Sequence, residues 1–254
     1  MNSGLVSYVK LSPNHGGRRG HKIDTVSIHC MAGNMSVESC GAWMSKKSTA
    51  ASSNYGIGSD GRIGMYVEEG NRSWCTSSRS NDDRAVTIEV ANDGGAETGW
   101  HVSDAALGAL IGLLADICLR NDIKALLWKG DKGLIGQVDK QNMTVHRWFK
   151  NKACPGDYLY NLHGEIARQV NERLEEMRMV RYERLRDIKD REFHGIVEKL
   201  MDAGIIGGDG SDPVGNEDVI DLSHDMVRTL VFEYRGGAFD RKLKAAGMEP
   251  AVKE

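Results

Sequence analysis

The chain has no apolar run approaching the roughly 20 residues needed to cross a bilayer, which argues against stable membrane insertion. No signal peptide is expected either, since Met1-Asn-Ser-Gly-Leu-Val-Ser-Tyr-Val-Lys10 has no basic region followed by an apolar one. The expectation is a protein made and accumulated in the cytoplasm. Its net charge of -3 lacks the concentrated basic excess of domains that grip phosphates, so no nucleic-acid partner is expected. Nor is there a secreted disulfide framework. Cys30, Cys40, Cys75, Cys118 and Cys154 are odd in number and irregularly spaced, and reduced thiols are the simpler reading.

What remains is an ordinary globular composition. With 254 residues, 40% hydrophobic and 27% charged, the chain is long enough for one large domain plus a small one. Three short runs alternate apolar and polar residues as strands do: Ile23–Cys30, Ala85–Asn92 and Met143–Trp148. In each the reactive residue is out of phase with the apolar ones: His29 against Val26 and Ile28, Glu89 against Ile88 and Val90, His146 against Met143 and Val145. If these strands share a sheet, all three side chains reach a common face. Asp60-Gly61, inside Asn54–Val67, has the chemistry of a hairpin turn, which brings the sheet to at least four strands.

Helices are expected between the strands. Ser36 precedes Val37, Cys40, Trp43 and Met44; Ser103 precedes a stripe from Leu107 to Cys118; Leu159, Leu162, Ile166, Val170 and Leu174 follow Pro155-Gly156. The order predicts an α/β domain, a central mixed β-sheet flanked by helices, over residues 1–177. A charged linker or helix extension over 178–190 follows, then a small helical C-terminal module over 191–254, with a Gly-rich loop from Gly204 to Gly215.

His29, His146 and Cys154 offer two imidazoles and a thiolate, three good zinc ligands. Three ligands leave the fourth tetrahedral position open, as in catalytic rather than structural zinc sites. Taken singly, a buried cysteine usually belongs to a core and a strand histidine to a hydrogen bond. His15, His21, His101, His163, His194 and His224 are placed in loops or polar helical stretches and are not expected to bind metal. Asn81-Asp-Asp-Arg84 reads as a loop with local turn chemistry.

His29 at a strand end, His146 with Lys152 and Cys154-Pro155, the segment Ser53–Arg62 and the strand Thr87–Asn92 together resemble the type 2 N-acetylmuramoyl-L-alanine amidases over about residues 5–175. The resemblance is to endolysins of phages and prophages of Gram-positive bacteria. It implies the zinc amidase fold, Zn2+ on His29, His146 and Cys154, and hydrolysis of the bond between N-acetylmuramic acid and L-alanine in peptidoglycan. A cytoplasmic endolysin would reach the wall after release through a pore or lysis. Retention of Cys154 favours the enzyme over the alternative, a non-catalytic peptidoglycan-binding module. Glu89 is assigned as general base and then acid, and Lys152 as oxyanion donor.

One departure stands out: the phage lysozyme-like amidases and catalytic recognition proteins carry a tyrosine two residues before the aromatic that is here Tyr55, where this chain has Ser53, and endolysin relatives without that tyrosine use a glutamate like Glu89. Tyr55 is left as core or substrate wall. Trp74 reads equally as core or as part of a substrate groove. The C-terminal module is expected to serve wall targeting or self-association, including a homodimer.

Overall fold

The computed structural model describes residues 2–178, 180–207 and 219–252. These divide into two compact units, Met1–Glu176 and Met177–Glu254. In the first, the strands in chain order are β1 (Tyr8–Val9), β2 (His15–Arg18), β3 (Thr25–Cys30), β4 (Tyr55–Ile57), β5 (Ile63–Met65), β6 (Asn71–Ser73), β7 (Ala85–Val90) and β8 (Met143–Thr144). The helices are α1 (Val37–Met44), α2 (Arg79–Arg84), α3 (Asp104–Arg120) and α4 (Gly156–Arg178).

Six strands form one mixed sheet in the order β1-β5-β4-β7-β3-β8; β2 and β6 pair separately. Strands β4, β7, β3 and β8 run parallel, and β4 and β5 make the antiparallel hairpin expected around Asp60-Gly61. All six residues of β3 are buried, the pattern of a parallel strand covered on both faces. On one face Val26, Ile28, Val86, Ile88, Tyr55 and Ile57 pack with Leu110, Leu114 and Ile117 of α3 and Leu159, Ile166 and Val170 of α4. Each such fully buried side chain contributes roughly 1.5–3 kcal/mol. On the other face a smaller cluster of Met31, Cys40, Met44, Tyr66 and Ala91 seats α1.

The caps behave as the sequence predicts: Ser36 accepts from Ser39 N and Ser103 from Ala106 N. Gly56 is required by a close approach, since a Cβ there would lie 2.5 Å from the Tyr66 ring. That ring's hydroxyl donates to Val37 O at 2.8 Å and ties the start of α1 to the sheet.

Three local expectations are corrected. Strand Met143–Trp148 stops at Thr144, and His146–Trp148 turns into a 3-10 helix whose Phe149 N–H bonds back to His146 O. Asn81–Arg84 lies in a short helix, because Ser78 caps it and buried Asp82 accepts from the Thr76 N–H and hydroxyl. His163 is wholly buried on α4 rather than in a polar stretch.

The second unit has its own core of Leu185, Ile188, Val197, Leu200, Leu222, Val227 and Val231. Its elements are β9 (Arg181–Arg184), α5 (Arg191–Asp202), β10 (Val219–Ser223), α6 (His224–Arg235) and α7 (Asp240–Ala245). The charged stretch 178–190 thus carries a strand paired antiparallel with β10, and the module is not purely helical. Of the Gly-rich loop, residues 208–215 lie outside the described residues.

Candidate metal centre

Register sets the first half of the site. His29 and Glu89 are direct partners on the parallel pair β3 and β7, on the face away from α3. His29 Nδ1 lies 4.0 Å from Glu89 Oε1. The Ser27 hydroxyl donates to Thr144 O at 3.2 Å, so at its 3.1 Å contact with His29 it accepts from Nε2–H. This tautomer leaves the Nδ1 lone pair facing the cluster.

A loop supplies the second half. His146 follows β8 on the 3-10 turn, its ring centroid 5.2 Å from that of His29. Cys154 returns beside it, with Sγ 3.3 Å from His29 Nδ1. Arg147 closes the loop from inside: its backbone N–H donates to Cys154 O at 3.2 Å and its Nη2 to Ala153 O at 2.6 Å. The guanidinium also reaches Asp157 Oδ1 at 3.1 Å and lies 4.7 Å over the Tyr160 ring. Beyond the cis Cys154-Pro155 bond, Gly156 adopts φ +80°, and a Cβ there would meet Trp100 at 2.4 Å.

The donors of His29, His146 and Cys154 all lie within 4.8 Å of one another. Burial, with the nearby His146 and His163, pushes the His29 pKa well below its ordinary value; burial and then Lys152 lower that of His146. Both imidazoles are therefore in the neutral, metal-binding form. The Cys30 thiol, burial and Glu89 hold Cys154 protonated in the chain alone, a state that a coordinated cation reverses. Although 18% of the Glu89 side chain is exposed, its Oε2 is buried without a partner. Burial pushes this carboxyl up to about 8, against a lowering contact from Cys75. Two neutral imidazoles and a thiol fit a zinc ion, with the Glu89 carboxyl beside them.

The centre opens on a cavity of about 690 Å³ lined by Met35, Trp43 and Met44, with Trp100 and Lys152. Lys152 is exposed on the loop between the two ligands. Trp43 and Trp100 are the wall residues that sequence reading missed. For Trp43 the signal was present: α1 buries Val37, Cys40 and Met44 and leaves Trp43 47% exposed, at the edge of the apolar stripe. The aromatics expected as substrate contacts lie elsewhere. Tyr55 is completely buried, its hydroxyl donating to Glu69 Oε1 at 2.5 Å and accepting from Ser3 N at 3.0 Å. Trp74 is 39% exposed but does not line this cavity. Ser53 donates to Tyr55 O at 2.7 Å and is buried. None of the other histidines joins a candidate metal group among the described residues.

The sequence model of the N-acetylmuramoyl-L-alanine amidases matches residues 19–157, more than half of the chain and all five of His29, Glu89, His146, Lys152 and Cys154. The chain belongs to this family. Its enzyme class is accordingly that of an N-acetylmuramoyl-L-alanine amidase. Similar solved structures include a mutant endolysin from Bacillus subtilis, 15% identical with TM-score 0.48, covering 65% of this chain and 99% of that one. The amidase LysC from Clostridium intestinale is 14% identical with TM-score 0.41, covering 65% and 99%. A derivative of AmpD is 15% identical with TM-score 0.47, covering 65% and 96%. No curated protein matches the chain. Among the described residues, no helix of this amidase is long and apolar enough to cross a membrane.

Proposed function

We propose that this amidase is a zinc-dependent endolysin or autolysin that cuts the bond between the lactyl group of N-acetylmuramic acid and L-alanine in peptidoglycan. The observation that carries the reading is the convergence of His29, His146 and Cys154 beside Glu89 at one end of an open cavity. When bound, zinc supplies Lewis acidity, making water more acidic and the scissile carbonyl more electrophilic. His29, oriented by Ser27, together with His146 and Cys154, would hold the ion.

Glu89 takes the proton from the attacking water and returns one to the departing amine of L-alanine. Its place beside His29, with Oε2 buried and unpartnered, suits it to hold that proton between the two steps. Lys152 donates to the oxyanion from the loop side of the cavity. Trp43 and Trp100 offer apolar faces to the sugar and the short stem peptide. The second unit serves wall targeting or self-association. A chain ending at residue 178 that binds and lyses walls as well as the full chain would remove that role.

The test is a digest of purified Gram-positive peptidoglycan analysed by mass spectrometry, with zinc-stripped protein and Glu89→Ala alongside. Free stem peptides beginning with L-alanine and intact glycan strands, lost on chelation and in the variant, are expected. Walls bound but uncut by zinc-loaded protein would refute the reading.

A further inference from the structure

Cys75 has no part in the proposed reaction, yet its Sγ lies 3.8 Å from Glu89 Oε1, the oxygen that faces His29 Nδ1 at 4.0 Å. The ligand atoms of His29, Cys75 and Glu89 all fall within 4.8 Å of one another. A separate observation points to the same place: Glu89 Oε2 is buried and unpartnered, so the carboxylate has coordinating capacity to spare. The thiol is also held where it stands. The Cys75 N–H donates to Asp82 Oδ2 at 3.2 Å, and Asp82 is fixed by Thr76.

We propose that His29, Cys75 and Glu89 form a second, overlapping metal position that captures a thiophilic divalent cation and so inhibits the enzyme. This rests on the roles assigned above to His29 and Glu89. Nδ1 has one lone pair, so a cation here takes His29 from the catalytic set and ties up the general base at the same time. The chemistry balances without oxidation: the cation accepts electron pairs from the sulfur, the carboxylate and Nδ1, and the protons of the thiol and of the Glu89 carboxyl leave to solvent.

Ligand softness, more than spacing, selects the ion. Metal–ligand bonds of about 2.0–2.3 Å give tetrahedral donor–donor edges of about 3.3–3.8 Å for zinc. The 3.3 Å between Cys154 and His29 and the 3.8 Å between Cys75 and Glu89 both lie in that range and only the 4.0 Å between His29 and Glu89 exceeds it, so the soft sulfur of Cys75 is what favours a thiophilic cation such as Cd2+.

The probe is Cd2+ added to the full chain and to Cys75→Ser, which keeps a donor to Glu89 but is a poor ligand for a soft ion. Wall digestion by the zinc-loaded proteins, each relative to its own uninhibited rate, should need about tenfold or more Cd2+ for half-inhibition in the variant. A second readout is independent of catalysis. In metal-stripped Cys154→Ser, Cd2+ should still raise the near-ultraviolet charge-transfer band of a cadmium thiolate, and adding Cys75→Ser should abolish it. Should Cys75→Ser fail to fold by circular dichroism, Cys75→Ala takes its place in the absorption experiment. Equal inhibition of both proteins, or a band that survives in the double variant, overturns the proposal. A chain that shows the band but cuts no wall amide would sink the amidase reading alone.

Discussion

The two halves of the centre are built by different means. His29 and Glu89 are register partners on adjacent parallel strands, and the sheet that carries them is locked by apolar packing against α3 and α4. His146 and Cys154 lie on a segment with only one 3-10 turn, held by Arg147, by Gly156 under Trp100 and by stacked Trp128 and Trp148, 5.1 Å apart. The strand half is fixed by many small contacts, the loop half by a few large ones. Chemistry should therefore be lost most readily through the first half, and metal retention through the second.

Glu89→Gln should break activity furthest: removing the proton carrier costs about 10²–10⁴-fold in rate. Metal content by mass spectrometry should stay near that of the wild type, since Glu89 is not among the zinc donors. Loss of zinc from this variant would make Glu89 a ligand and erase the distinction between the halves.

Arg147→Ala should do the reverse. Without the clamp on Ala153 and Cys154, zinc should be lost to a chelator at about 10–100-fold lower concentration, with activity recovering in excess zinc. Arg147→Lys restores a charge but not the planar fork and should recover only part of this. Ser27→Ala applies the same test to the strand half. It removes the acceptor that fixes the His29 tautomer, and its effect on zinc should be nearer tenfold, because β3 still aims the ring. A larger loss than in Arg147→Ala, read by the same chelator competition, would show that tautomer matters more than loop closure.

The strand half was also the legible half. Alternation in Val26–His29 and Ile88–Val90 put His29 and Glu89 on one face, and sheet order made them neighbours. The loop half was half-read. His146 was placed on a strand because Met143 and Val145 alternate, but period-two patterning cannot see the turn that Arg147 closes, whose contacts are polar and tertiary. Tyr55 and Trp74 were weighed as substrate wall because aromatic letters carry no burial; the partners that bury the Tyr55 hydroxyl, Ser3 and Glu69, are distant in sequence. In the second unit, charge along 178–190 suggested a linker or helix extension, whereas Tyr182 of β9 packs on the core and Arg181 pairs with Asp221 outside it.

His163 offers the smallest effect and a pH signature confined to the underside of the loop half. Its ring is buried against Trp128, its Nδ1 donates to Leu159 O at 2.6 Å and its Nε2 has no partner. Burial lowers its pKa from 6.5 to about 4, so the folded protein holds it neutral. The sign follows from linkage: for a base with a depressed folded pKa, the unfolded chain binds the proton first. The associated stability is complete above pH 6.5, drains away as pH falls from there to about 4 and changes no further below that. His163→Phe cannot take up a proton. In metal-stripped protein, the loss of unfolding free energy between pH 6.5 and 4 should be smaller than in the wild type by about 2–3 kcal/mol, read from urea melts. At pH 7.5 the variant should be within about 1 kcal/mol of the wild type, since it gives up one hydrogen bond and relieves an unpaired nitrogen. Parallel pH curves for the two proteins would mean that His163 has no part in the acid response of the fold.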